Sequence, residues 1–178
     1  AKGGTSQLVT VNNIGTIDTT GDKANGILAQ SIGGGGGTGG FAISGEMVVD
    51  GAGGASVSVG GNGGAGQDGG RVVVNSNVGT TLANNNATIH TVGGDSNGIF
   101  AQSVGGGGGD GGFSGAVSVT GQNAKAAIAV SVGGSGAGSG DGKIVNVTSV
   151  DNILTEGNGA NGILAQSDQQ GQGNNDPQ

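Results

Sequence analysis

Apolar and polar residues alternate along this chain in short runs. QLVTV, AISGEMVV, ASVSV, RVVVN, GAVSVT, AAIAVSV and KIVNV are rich in β-branched residues, and Gly, Asn and Asp bound them. That pattern predicts strands, in which successive side chains point to opposite faces. No segment carries apolar residues at the spacing of a helix face, so the expected fold class is all-β.

The strands belong to a repeat. The heptad NGI(L/F)AQS starts at Asn25, Asn97 and Asn161, spacings of 72 and 64 residues. Within it Ile27, Ala29 and Ser31 share one strand face, as do Ile99, Ala101, Ser103 and Ile163, Ala165, Ser167. That face is assigned inward. Leu8, Val9, Val11, Ile14, Ile17, Thr19 and Gly21 match Ile144, Val145, Val147, Val150, Ile153, Thr155 and Gly157, all 136 positions further on. In the middle copy Val78-Gly79-Thr80 aligns with Ile14-Gly15-Thr16, and Ile89-His90-Thr91 aligns with Ile17-Asp18-Thr19. The eight residues TLANNNAT at 81–88 are then an insertion, expected on a loop at one edge.

Self-similarity at this scale is the signature of a stacked array, each unit burying its apolar face against the next. The expected architecture is a parallel β-solenoid (right-handed β-helix). The array spans residues 1–167 and a polar tail, DQQGQGNNDPQ, spans 168–178. With coils of roughly two dozen residues, the chain would make about seven coils at a strand spacing of about 4.8 Å. The Asn-Gly that opens each heptad is expected to supply left-handed backbone at a corner.

Glycine has its own rhythm. From Ile32 the chain reads IGG, GGG, TGG; from Val104, VGG, GGG, DGG; from Val59, VGG, NGG, AGQ, DGG. Two glycines in every three suit polyproline-II-like strands, which have three residues per turn, and also suit lateral loops.

Composition narrows the function classes. Among 178 residues 47 are Gly, charged residues are 10% and aromatics 2%. The net charge is −7, and Lys2, Lys23, Arg71, Lys125 and Lys143 are scattered. No basic stripe meets a phosphate backbone and few rings could stack on bases, so no nucleic-acid partner is expected. Cysteine is absent, which removes disulfides and thiolate metal sites.

Candidate chemistry is thin. GGxGxD occurs at Gly63–Asp68 and Gly105–Asp110, but the eighth position of a calcium-binding nonapeptide, which needs a large apolar residue, is Gly70 or Gly112. His90 is the sole imidazole, with Asp95 its candidate partner as a base. Glu46, Asp50, Glu156 and Asp18 are scattered carboxylates, and only Phe41, Phe100 and Phe113 could serve as sugar platforms. No catalytic, cofactor-binding or metal residues are assigned, and the chain is not expected to be an enzyme.

The passages GILAQSIGGGGGTGGFAISG and ASVSVGGNGGAGQDGGRVVV resemble the glycine-rich repeat array in passenger regions of very large bacterial autotransporters, the type V secreted proteins. The resemblance extends from Thr5 to about Gln166. It implies a right-handed parallel β-helix on the bacterial surface and an outer-membrane barrel of the same precursor; strands of that barrel type are not found in this sequence. The expected function is a structural and adhesive stalk, extracellular or on the outer-membrane surface, with a glycan or protein ligand. The alternative is a filament subunit that self-associates through the solenoid ends. Carbohydrate processing and ice binding are lesser readings, the latter lowered by the lack of regular Thr-x-Thr ladders.

Overall fold

The computed structural model describes residues 2–48, 53–78, 87–120 and 126–168. These residues form thirteen strands and no helix, and every strand pairing is parallel. The chain first lays down β1 (Val9–Asn13), β2 (Ile17–Thr20) and β3 (Ile27–Ile32). It then leaves sideways as β4 (Ala42–Val48) and β5 (Gly53–Val59), and returns as β6 (Val72–Ser76), β7 (Thr88–Val92) and β8 (Ile99–Val104). A second excursion, β9 (Ser114–Thr120) and β10 (Ala126–Val132), precedes β11 (Val145–Ser149), β12 (Asn152–Glu156) and β13 (Ile163–Asp168).

Three sheets of three strands result, β1-β6-β11, β2-β7-β12 and β3-β8-β13, with two-stranded sheets β4-β9 and β5-β10 in the lateral lobe. The chain thus visits the same three sheets in the same order three times, an arrangement compatible with a parallel β-solenoid. Among the described residues no sheet is more than three strands high, so the stack has three levels rather than about seven. It rises about 10 Å, two strand spacings. The expectation failed because it counted the excursion residues as further coils. They stack beside the three main sheets instead.

Register places like on like. Ile27, Ile99 and Ile163 form one column, Ala29, Ala101 and Ala165 the next, Ile17, Ile89 and Ile153 another. The inward assignment of the first heptads holds: Ile27, Ala29 and Ser31 are buried, as are Ile99, Ala101 and Ser103. The core is a narrow aliphatic column of Ile27, Ala29, Val72, Val74, Ile89, Ile99 and Ala101, flanked by half-buried Val9, Val11, Val145 and Val147. Burial falls away at the third level: Ile27 is 6% exposed and Ile99 0%, whereas Ile163 is 48% exposed.

Two sequence expectations shift in detail. Val9 pairs with Val72, an offset of 63, whereas Ile17 pairs with Ile89 at 72, so the middle copy carries nine extra residues, not eight. Asn77 rather than Val78 stands opposite Ile14, its N–H donating to the Asn13 carbonyl at 2.8 Å. The Val-Gly-Thr and Ile-Gly-Thr likeness misaligned the strings by one, because the buried Asn77 carboxamide fills this corner and accepts from Gly15 N–H at 2.7 Å. Of the proposed insertion, residues 81–86 lie outside the described residues, as do Asp50, Lys125 and the tail from 169.

Nor does Asn-Gly supply the left-handed backbone. That falls just upstream, at Lys23 (φ 61°), Asp95 (φ 55°) and Gly159 (φ 74°). The Asn residues instead form an amide ladder: Asn25 Oδ1 accepts from Asn97 N and Nδ2, and Asn97 Oδ1 accepts from Asn161 N and Nδ2, at 2.8–3.0 Å. The following Gly98 is needed for close approach, since a Cβ there would collide with Ile153 Cγ2 and the Gly162 carbonyl.

The glycine segments 33–41, 60–70, 105–113 and 133–142 carry chain to and from the lobe, and they are hydrogen-bonded to one another every third residue. Gly33, Gly36 and Gly39 donate to Val104, Gly107 and Asp110; Gly106, Gly109 and Gly112 donate to Gln67, Gly64 and Gly61. A Cβ on Gly36 would fall inside contact distance of the Gly64 carbonyl oxygen, whereas one on Gly35 would have nothing nearer than Gly107 O at 3.8 Å. Triplet positions that do carry side chains, Thr38, Asn62, Asp68 and Asp110, are exposed. In 33–41 and 105–113 side chains are therefore confined to one position in three, whereas Gln67, Ala137 and Ser139 depart from that phase in the other two segments.

Two mutational outcomes follow. Ile99→Asp is expected to cost several kcal/mol by burying a carboxylate without a partner, while Gln102→Asp, on the outer face, costs little; thermal melts that rank them otherwise would contradict the inward face. Gly36→Ala is expected to lower the melting temperature markedly and Gly35→Ala to leave it within a few degrees. Equal losses would mean that the triplets do not pack in this register.

Candidate functional surface

Three places concentrate polar or exposed apolar chemistry. The first is the outer face of β2-β7-β12. Register sets Asp18 against His90, and the imidazole bridges levels: Nδ1 lies 3.2 Å from Asp18 Oδ1 and Nε2 lies 3.0 Å from Glu156 Oε1. A ring protonated on both nitrogens donates to both carboxylates, whereas a neutral ring donates to one. The cluster ties all three levels together at a partly exposed site. Asp95, the candidate partner from sequence, sits in the turn after β7 and takes no part; Asp18 and Glu156, read as unconnected, are the residues that converge.

The second place joins the glycine segments to the stack. Lys143 Nζ lies 2.6 Å from Asp68 Oδ2, and the Asp141 N–H donates to Asp68 Oδ1 at 2.9 Å. The hydrogen bond from Lys143, with that of the Asp141 amide, holds the Asp68 carboxyl below the usual aspartate range, and Asp68 in turn raises the Lys143 ammonium. Asp68 ends one of the two calcium-like motifs, so its carboxylate already faces a cation of the chain. Asp110, which ends the other, is exposed. Among the described residues no three His, Asp or Glu side chains are grouped as metal ligands.

The third place is the lateral lobe, whose two sheets pack face to face with β4 against β5 and β9 against β10. Serines occupy its interior. Ser44 and Ser56 hydroxyls lie 2.9 Å apart, Ser114 and Ser131 likewise, and Ser58 Oγ donates to the Ala42 carbonyl at 2.7 Å. Glu46 also turns inward, with Oε2 buried and without a partner. Strand alternation then sends the large apolar residues outward. Phe41, Ile43, Met47, Phe113, Val117 and Val119 are exposed on the β4-β9 side, and Val57, Val59, Ile128, Val130 and Val132 on the β5-β10 side. Apolar patches of this kind are uncommon on soluble surfaces and mark contacts.

Of the three sugar-platform residues two sit side by side and the third lies apart. Phe41 and Phe113 belong to the lobe, and Phe100 lies on the outer face of β8 between Leu28 and Leu164. A shallow cleft beside that face is lined by Ile32, Gln102, Val104 and backbone of Gly33 and Gly105–Gly107, with no ionisable side chain in it. Compared with known protein families, with curated proteins and with solved structures, the chain matches none.

The ion pair gives a pH signature with a definite sign. Asp68 contributes stability above the ordinary aspartate value, lost as pH falls through its lowered one; Lys143 contributes below the ordinary lysine value, lost as pH rises through its raised one. In Lys143→Met the Asp68 carboxyl carbon, followed by NMR, is expected to titrate at higher pH than in the parent chain. An unchanged midpoint would show that the pair does not form in solution.

Proposed function

We propose that this chain is a non-catalytic structural and adhesive repeat, a stiff right-handed β-solenoid stalk that carries lateral lobes outside the cell or on a bacterial outer-membrane surface. The observation that carries this reading is the column of like residues: Ile on Ile, Ala on Ala, Asn amide on Asn amide across three levels. Such columns spend the sequence on vertical continuity, and the glycine triplets, read as polyproline-II-like strands, extend it sideways. The resemblance to autotransporter passengers points the same way and supplies the location, with a downstream barrel as anchor. The ligand is a glycan or protein met by exposed faces rather than a molecule enclosed in a pocket.

A second reading, a subunit of an extracellular filament, is favoured by the edges of the stack. Among the described residues strands β1 and β11 pair on one side only, as do β3 and β13, and half-buried Val9 and Val145 lie in the outer levels. Unpaired edges accept further strands, from continued repeats or from another copy.

Adhesion is tested by displaying the chain on otherwise non-adherent cells and counting attachment to glycan-coated and protein-coated surfaces. Attachment several-fold above bare cells, lost with Ile99→Asp, is expected. Equal attachment by parent, variant and bare cells would reject the adhesive role.

A further inference from the structure

The lobe's β4-β9 face is built to meet itself. Its outward positions run in matched rows, Phe41 beside Phe113, Ile43 beside Gly115, Gly45 beside Val117, Met47 beside Val119. The two middle rows form a chequerboard: side chains at Ile43 and Val117 on one diagonal, hollows at Gly45 and Gly115 on the other. A twofold axis lying in the plane of the face, along the strands or across them, carries each projecting side chain onto a glycine. We infer that this face pairs with the same face of a second copy, an isologous contact in which Ile43 and Val117 of each chain fill the glycine hollows of the other.

Shape, charge and area all bear on the occupant. Ile43 is 69% exposed and Val117 57%, so neither is used by the fold of its own chain. Neither glycine is there for want of space. A Cβ on Gly45 would have nothing nearer than Val117 O at 3.9 Å, and one on Gly115 would touch only the bordering Phe113 ring, at 3.6 Å. Neither has left-handed backbone. Glycine is thus not required within the monomer, and an incoming side chain gives it a use.

Charge agrees. The chain carries −7, yet Glu46 is the one ionisable residue in the four lobe strands, and it faces inward. Two like-charged chains can meet here without bringing charges together. A lipid interior fits less well, because among the described residues β4 and β9 each pair on one side only, and backbone groups on an unpaired side would be left unbonded in hydrocarbon. Pairing of faces leaves those edges in water.

Area sets the strength. Four rows by two strands cover roughly 20 by 10 Å, far less than the ~800 Å² per partner of a stable complex. One face of this chain should therefore pair weakly, with Kd on the order of 0.1–1 mM, and the contact would strengthen as further repeats extend the face. The β5-β10 face lacks that chequerboard: its rows are Gly53 with Ala126, Ala55 with Ile128, Val57 with Val130 and Val59 with Val132, so its one glycine lies at the end of the strand.

The test is methyl NMR of the labelled chain, diluted from about 1 mM to about 10 µM. Ile43, Met47, Val117 and Val119 methyl signals are expected to move with concentration, while those of Val130 on the opposite face and of Val9 and Ile163 at the stack ends stay still. Gly45→Leu, which plugs a hollow, is expected to weaken pairing at least tenfold with the melting temperature within a few degrees of the parent. Should Gly45→Leu fold poorly, Val117→Ala removes the matching projection from an exposed strand position and must give the same loss. Static lobe signals up to about 1 mM, movement confined to Val9 and Ile163, or pairing unimpaired by a folded variant would each overturn the inference.

Discussion

Vertical superposition is the constraint from which the rest of this structure follows. Parallel strands about 4.8 Å apart place equivalent residues directly over one another, so any residue in a column must tolerate its own kind as neighbour. Aliphatic side chains do so by packing, as in the Ile27, Ile99, Ile163 column. Asn does so by chaining its carboxamide to the next level, and Gln30, Gln102 and Gln166 repeat this on the outer face, with amides 3.0 and 3.2 Å apart. A carboxylate over a carboxylate would repel. The β2-β7-β12 face avoids this by setting His90 between Asp18 and Glu156 on adjacent levels.

A stack of this kind survives interruption only if the chain returns in phase after each excursion. The glycine segments provide the return. With glycine at most positions that face a neighbouring segment, backbones approach closely enough to exchange hydrogen bonds every third residue, and the spacing on the outward path fixes the spacing on the way back. Glycine loses more entropy on ordering than other residues, and the close-packed bonds offset that cost. The serines ending the inward faces of the first two heptads then clamp the returning chain. Ser31 Oγ accepts the Gly70 N–H at 3.0 Å, and fully buried Ser103 donates to the Gly70 carbonyl and accepts the Lys143 N–H, both at 2.8 Å.

Much of this was legible in the sequence, and what was not has physical causes. Strand identity and the inward face of the heptad could be read because alternation and threefold repetition agree on them. The 136-residue match between first and third copies reappears as register, with Val9 and Val145 both opposite Val72. The strands β2, β7 and β12 escaped notice because IDTT, TIHTV and NILTE are short and polar; they are strands through their neighbours above and below. The number of levels escaped because composition does not distinguish a strand in the stack from one in the lobe. The Asp18 and His90 contact was within reach, since aligning Ile17-Asp18-Thr19 with Ile89-His90-Thr91 already places one over the other. Glu156 was less so, being two positions beyond the aligned residue Leu154.

The lobe shows where pattern alone misleads. Alternation of Val with Ser ordinarily means apolar inside and polar outside, yet here Ser56 and Ser58 are buried while Val57 and Val59 are 61% exposed. Inversion is possible because serine hydroxyls of facing strands come within hydrogen-bond distance and, with the backbone ladders, hold the lobe, so apolar burial is not what stabilises it. β-Branched residues on the outer faces still favour the strand conformation, and that preference accounts for the Val57 and Val130 rows without invoking a partner. It does not account for Phe41, Met47 and Phe113, nor for glycines with room for a side chain set beside Ile43 and Val117. Strand propensity would be served better by a β-branched residue at Gly45 than by glycine, so its presence on the β4-β9 face points to something beyond the folding of a single chain.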